Sequence, residues 1–118
     1  MPTAPKSHQP NRTPDRLNVI AFHASTRWTK LSKAFRRDNP LCWLCDAIGV
    51  TTPAAAVHHY QPVADCYYMR FDACYWISLC ASCHNRITRI ERENGNEAAQ
   101  DVFDKAGWKP NDETTGGM

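Results

Sequence analysis

Two cysteine pairs, Cys42-x2-Cys45 and Cys80-x2-Cys83, constrain this chain more than any other feature of its sequence. A two-residue gap lets both thiols of a pair turn toward one ion. Two such pairs complete the four-sulfur tetrahedron that zinc takes in closed structural sites. Each pair falls beside a turn or at the start of a helical stretch, where backbone amides support thiolate charge. The 34 residues between the pairs exceed what a minimal ribbon needs, and they leave room for a hairpin that carries something else. Cys66 and Cys74 have no comparable spacing and read as small buried apolar residues.

A chain of 118 residues has room for one domain, and a domain of that size buries a modest core, so a metal staple is in keeping with it. MPTAPKSHQPNRTP contains no apolar segment of the kind a secretory signal requires. No apolar run approaches the roughly 18 residues of a membrane span. The expectation is a cytoplasmic protein with no membrane partner, in a compartment where thiols stay reduced and paired cysteines favour metal. Charge is unevenly placed. Residues 1–90 hold 11 Lys and Arg against 5 Asp and Glu, net +6, whereas residues 91–118 hold 3 against 7, net −4. A basic body with an acidic tail suits a polyanion-binding core, although such asymmetry is also common in small soluble proteins.

Three segments follow from the patterning. Residues 1–22, rich in proline and poor in large apolar groups, read as a flexible arm with some ordering near Leu17, Val19 and Ile20. Residues 23–94 hold the zinc-knuckle domain, and residues 95–118 a short helix over roughly Glu97 to Lys105 and a disordered tail. Within the central segment, Trp28, Leu31 and Phe35 recur at helical spacing. Ser25 or Thr26 is the expected N-cap of that helix and Asn39-Pro40 its stop. Its other face carries Arg27, Lys30, Lys33, Arg36 and Arg37 without an acidic residue among them, a stripe suited to phosphate. TTPAAAVHHYQPV reads as a strand ended near Pro62, YWISLC as a second strand, and ASCHNRITRIERENG as a helix stopped by Asn94-Gly95. Trp43, Tyr67, Tyr68, Trp76 and Trp108 read mostly as core.

His58 and His59 lie on the first of these strands, and His84 directly follows the last zinc cysteine. If the zinc pins strand and helix together, His59 and His84 converge on a cleft outside the metal shell. The order CWLC, AVHHYQPV, LCASCHNRIT resembles the HNH endonuclease family over about residues 27–93, especially small phage members with paired zinc knuckles. An upstream basic helix with a Trp-x-x-Leu pattern, here Trp28 to Arg37, is similar to those proteins as well.

The resemblance implies an α+β chain of the ββα-metal kind, with an N-terminal basic helix and additional helices. It implies metal-dependent hydrolysis of phosphodiester bonds, nicking or cleaving double-stranded DNA. His59 matches the family's general base, which takes a proton from the attacking water. His84 matches the helix histidine that binds the catalytic divalent ion, Mg²⁺, Mn²⁺ or Ni²⁺, and His58 stands where many members have an Asp ligand. Arg86 and Arg89 join the basic helix as expected contacts to DNA. By analogy with phage relatives, the setting is the bacterial host cell, with packaging terminase a possible partner. The zinc is structural and remote from the chemistry.

Two departures matter. The family's central Asn, which helps fix a loop and orient the base, falls at Tyr75, and the frequent helix lysine falls at Ile87. Asp72 or Ser78 are the candidates to compensate. Neighbouring strand residues also point to opposite faces, so His58 and His59 can serve one metal only where the strand bulges or ends. The competing reading is a zinc-knuckle nucleic-acid-binding or adaptor protein without catalysis. That protein would keep the cysteines and the basic helix but need neither His59 nor His84. A zinc-stabilised protein-interaction domain is a third.

Overall fold

The structure is a computed structural model that describes residues 16–64 and 67–110. Its elements run α1 (Arg16–Ala24), α2 (Thr26–Asp38), α3 (Trp43–Ala47), β1 (Ala56–His59), β2 (Trp76–Leu79), α4 (Ala81–Asn94) and α5 (Asn96–Lys105). Single 3₁₀ turns at Tyr67–Met69 and Ala73–Tyr75 occupy the loop between the strands. The expected α2, β1, β2, α4 and α5 are all present. The first helix is the difference, because α1 occupies residues that the sequence suggests as the end of an arm. Residues 1–15, Asp65, Cys66 and the tail beyond 110 lie outside the described residues.

Local chemistry explains the boundaries. The Ser25 hydroxyl accepts from the Trp28 amide at 3.1 Å and donates to the Phe22 carbonyl at 2.7 Å, so one side chain starts α2 and closes α1. Gly95 has a φ of +97°, a left-handed conformation that an L side chain rarely adopts, and its amide caps α4 on the Glu91 carbonyl. The chain turns there from α4 directly into α5.

The two strands pair antiparallel, with Ala56 opposite Leu79, Val57 opposite Ser78, His58 opposite Ile77 and His59 opposite Trp76. Each face of this small sheet covers a separate cluster. Leu79 and Ile77 pack with Cys42, Leu44, Ile87, Ala99 and Phe103, against α3, α4 and α5. Val57 and Trp76 pack with Phe22, Trp28 and Val63, against α1 and α2. Of the five aromatics expected in the core, Trp76 is buried, Trp43, Tyr67 and Trp108 are half-buried, and Tyr68 is exposed. Tyr60 ties α5 down beyond the end of β1. Its hydroxyl donates to Asp104 at 2.8 Å, and its ring stacks on Trp108 with centroids 4.5 Å apart.

The four knuckle cysteines meet between these elements. Their sulfurs all lie within 4.8 Å of one another, with Cys45 Sγ at 3.9 Å from Cys80 and 3.8 Å from Cys83. A tetrahedron with Zn–S bonds of about 2.3 Å has S···S edges of about 3.8 Å, so the cluster fits a structural zinc. The Cys83 amide donates to Cys80 Sγ at 3.4 Å and pulls that thiol down to about 7. Burial raises Cys42 and pushes Cys83 to about 12. Four thiolates therefore coexist here only with a cation to neutralise them.

Structural zinc contributes about 10–16 kcal/mol in small metal-dependent folds, comparable to the whole stability of a domain at about 5–15 kcal/mol. Replacing Cys80 by Ser is expected to release the zinc and unfold the chain. Zinc per chain and circular dichroism check this, and a folded Cys80→Ser protein with full zinc would refute the assignment.

Candidate active site

The zinc cluster sets where β2 stops and α4 begins. His84 lies in the first turn of α4, its amide donating to the Cys80 carbonyl at 2.9 Å. This places the His84 ring toward β1, with its centroid 6.0 Å from that of His58. One helical face further along, Glu91 brings its carboxylate Oε2 to 3.4 Å from His58 Nε2. His58 is also stacked on Phe103 at 5.4 Å. Burial pushes His58 down to about 3, with smaller contributions from the neighbouring His84 and His59. At neutral pH its contact with Glu91 is thus between a neutral imidazole and a carboxylate rather than an ion pair.

β1 runs through both histidines without a bulge, so His59 faces the other way. Its ring packs against Trp28 at 4.7 Å and Phe22 at 5.7 Å. His59 Nε2 lies 3.0 Å from the Arg70 carbonyl, which also accepts from the Trp76 indole at 3.2 Å. A carbonyl only accepts, so Nε2 carries the proton and Nδ1 keeps the lone pair. Burial is the main cause that lowers His59 to about 4, opposed by the Arg70 hydrogen bond and assisted by His23.

The two faces are brought together by a cavity of about 600 Å³ that wraps the open edge of β1. His58, His84, Thr88 and Glu91 line it from the α4 side, and His59, His23, Ser32 and Arg36 from the α1 and α2 side. Of the two alternatives the sequence left open, the strand is not bulged but ends at His59. The histidines meet because the cavity passes around the strand.

Among the described residues only the four cysteines bring three or more ligating atoms within 4.8 Å of one another, so His58, Glu91 and His84 are candidate ligands for a divalent cation and not a preformed set. Ligand atoms that share an octahedral ion at about 2.1 Å lie about 3 Å apart, close to the 3.4 Å between His58 Nε2 and Glu91 Oε2. Burial also lowers His84, so both imidazoles offer lone pairs at neutral pH. Glu91 and His23 are the two titratable lining residues that sequence reasoning passed over. Glu91 lies seven residues after His84, two helical turns on, which a search of that helix face for carboxylates would have found. His23 carries no comparable signal, because its helix is brought to the site by tertiary packing of Phe22.

The basic residues separate. Arg36 lines the cavity, and its Nε is buried without a hydrogen-bond partner among the described residues. Arg27 stacks its guanidinium over Phe71 at 3.8 Å. Lys30, Lys33, Arg37, Arg86 and Arg89 are exposed on α2 and α4. Neither candidate substitute for the family Asn touches His59. The Asp72 carboxylate accepts from the Cys74 amide at 3.1 Å and caps the 3₁₀ turn, while Ser78 is buried with its hydroxyl unpartnered among the described residues.

A search of solved structures finds the HNH endonuclease of the deep-sea thermophilic bacteriophage GVE2, crystallised with manganese ion. The two chains are 32% identical and superpose with a TM-score of 0.59, over 64% of this chain and 84% of that one. This chain belongs to the HNH endonuclease family. No family model matches its sequence, and neither does any curated protein. No helix among the described residues of this HNH protein is long and apolar enough to cross a membrane.

The burial of both strand histidines gives the HNH protein a signed pH dependence. The unfolded chain takes up protons on these residues near pH 6.5, whereas the folded chain resists them until about 3 for His58 and about 4 for His59. Above 6.5 they contribute nothing. Between 6.5 and 4 the unfolded state binds more protons, so stability falls on acidification by about 1.4 kcal/mol per histidine per pH unit. Urea unfolding at pH 7, 6 and 5 tests this, and the His58→Gln/His59→Gln double variant is expected to flatten the slope.

Proposed function

We propose that this HNH endonuclease hydrolyses phosphodiester bonds of DNA, with His59 as general base and with His58, His84 and Glu91 holding the divalent ion. The observation that carries the reading is the His59 ring. A backbone carbonyl fixes its tautomer and leaves Nδ1 as the proton acceptor, in the same cavity as the three candidate ligands. His59 is neutral at neutral pH and so has a lone pair to accept with, while the burial that lowers it to about 4 also makes it a weaker base than a free imidazole. The ion, when bound, supplies polarisation of the phosphate and stabilisation of the leaving oxygen. The manganese in the GVE2 enzyme supports a divalent ion of that kind here.

The protein side of the mechanism is positioning. Trp28, Phe22 and Trp76 pack against the His59 ring and hold it in place. Arg36, with an unpartnered buried Nε at the cavity wall, is suited to an anionic oxygen of the substrate. Exposed Lys30, Lys33, Arg37, Arg86 and Arg89 extend positive charge away from the cleft, as contacts to the backbone on either side of the cut. Such contacts carry little sequence information, so binding is expected to show modest sequence preference. The phage neighbour supports a host-cell setting, and action beside packaging terminase is the finer proposal. A binding module without catalysis explains the cysteines and the basic helix, but not a carbonyl-oriented histidine beside a His–His–Glu group.

Supercoiled plasmid incubated with the protein and Mn²⁺ is expected to be nicked, with EDTA abolishing the reaction. His59→Ala is expected to keep its zinc and its fold while losing about 10²–10⁴-fold in rate, the usual contribution of a general base. Nicking at the wild-type rate by this variant would remove His59 from the chemistry. The logarithm of the affinity for a DNA duplex is expected to fall linearly with the logarithm of salt concentration. Arg86→Ala/Arg89→Ala is expected to lessen that slope by about 0.9 for each phosphate contact removed, and an unchanged slope would place α4 away from the DNA.

A further inference from the structure

The cavity holds a histidine that the proposed mechanism does not use. His23 lies near the end of α1, and its Nδ1 is 3.1 Å from the Val19 carbonyl. The same logic that fixes His59 applies to it: Nδ1 carries the proton, and Nε2 keeps the lone pair. α1 is held against the site by Phe22, which is buried and packs edge-on to Phe71 and His59 at 5.3 and 5.7 Å. His23 itself is exposed to the cavity, perpendicular to the His59 ring, with centroids 6.2 Å apart. It lines the same cavity as His59 and His84.

We propose that His23 is a second catalytic histidine, which accepts one hydrogen of the attacking water while His59 accepts the other. The inference rests on the reading of His59 as the general base. Each ring has one nitrogen committed to a backbone carbonyl and one left as an acceptor, and a water molecule has two hydrogens to give. A water held at about 2.9 Å by one nitrogen of each ring, near its tetrahedral angle, places the two ring centres about 6.5 Å apart; they lie 6.2 Å apart. With both hydrogens engaged, the lone pairs of that water face away from the imidazoles, toward an incoming phosphate.

The step balances. The water oxygen forms the new bond to phosphorus as its first proton passes to His59 Nδ1. The second hydrogen, held by His23 Nε2, stays on that oxygen as a hydroxyl of the new terminal phosphate. The bond from phosphorus to the 3′ oxygen breaks, its electron pair leaves with that oxygen, and the oxygen takes a proton from solvent. His23 contributes orientation to this step, and His59 takes the proton.

The test is plasmid nicking with Mn²⁺ by the full zinc-loaded chain carrying His23→Ala, His23→Gln or His23→Lys, with wild type and His59→Ala alongside. Zinc content and melting midpoint are measured for each. Loss of one orienting contact is expected to lower kcat about 10- to 100-fold, with KM within about twofold of wild type. His23→Gln, whose amide oxygen accepts a hydrogen bond, is expected to recover part of the rate. His23→Lys, which has only donors, is expected to remain as slow as His23→Ala. A His23→Ala protein at the wild-type kcat, or one changed only in KM, overturns the inference. So does recovery by His23→Lys, which would assign the position to the phosphate. In either case a slow His59→Ala leaves the nuclease reading standing, whereas a wild type that does not nick overturns both.

Discussion

Four sulfurs between α3 and the junction of β2 with α4 determine where everything else in this chain can be. The cluster is part of the core as well as a cross-link, since Cys42 and Cys80 are buried with Leu44, Ile77, Leu79 and Ile87. One ion there replaces apolar area that a domain of this size lacks. Because Cys80 ends the strand and Cys83 opens the helix, the metal also fixes the angle at which α4 leaves the sheet. His84 and Glu91, one and eight residues beyond Cys83 on α4, therefore arrive opposite His58. The knuckle positions the cleft while remaining outside it.

The second constraint is the period of a β-strand. Adjacent histidines on a regular strand cannot share a face, and here they do not. A sheet of two strands has an open edge, however, and the cavity runs along that edge and reaches both faces. The alternation then separates two environments within a few ångströms. On one side are His58, His84 and Glu91, candidate donors for a cation. On the other, His59 lies among Phe22, Trp28 and Trp76. Both strand histidines are kept neutral by burial, so each presents a lone pair at neutral pH.

What the sequence made legible was local in nature. Two-residue cysteine gaps, the Ser25 cap, the Trp28–Leu31–Phe35 stripe and the valine- and aromatic-rich strands each reflect neighbours along the chain, and each is present in the fold. The parts that escaped depend on residues far apart. His23 reaches the site because Phe22 packs against a loop almost fifty residues away, at Phe71. The helix that carries it has two exposed large apolar residues, Leu17 and Ile20, which blurred its periodicity and left it reading as an arm. The acceptor for His59 was invisible for a different reason, since it is a main-chain carbonyl, and every residue has one.

That carbonyl bears on the position where the family's central Asn is replaced by Tyr75. In the family the Asn fixes the loop and, through it, the base. The loop here is fixed by other means. The Arg70 side chain turns back to donate to the Tyr67 carbonyl at 2.9 Å, and its guanidinium stacks 3.8 Å from the centre of the Tyr67 ring. The Arg70 amide donates to the same carbonyl at 3.1 Å, so main chain and side chain clamp one turn together. Asp72 caps the next turn on Cys74, and the Tyr75 carbonyl accepts from Tyr60 at 2.8 Å, which anchors the far end to the residue just after His59. The Trp76 indole shares the Arg70 carbonyl with His59 and holds it at the ring edge. An Asn at position 75 would add one more tie to a loop already held at both turns. Orienting the His59 ring requires a stationary acceptor rather than a particular side chain, and Arg70, Asp72 and Trp76 together provide it.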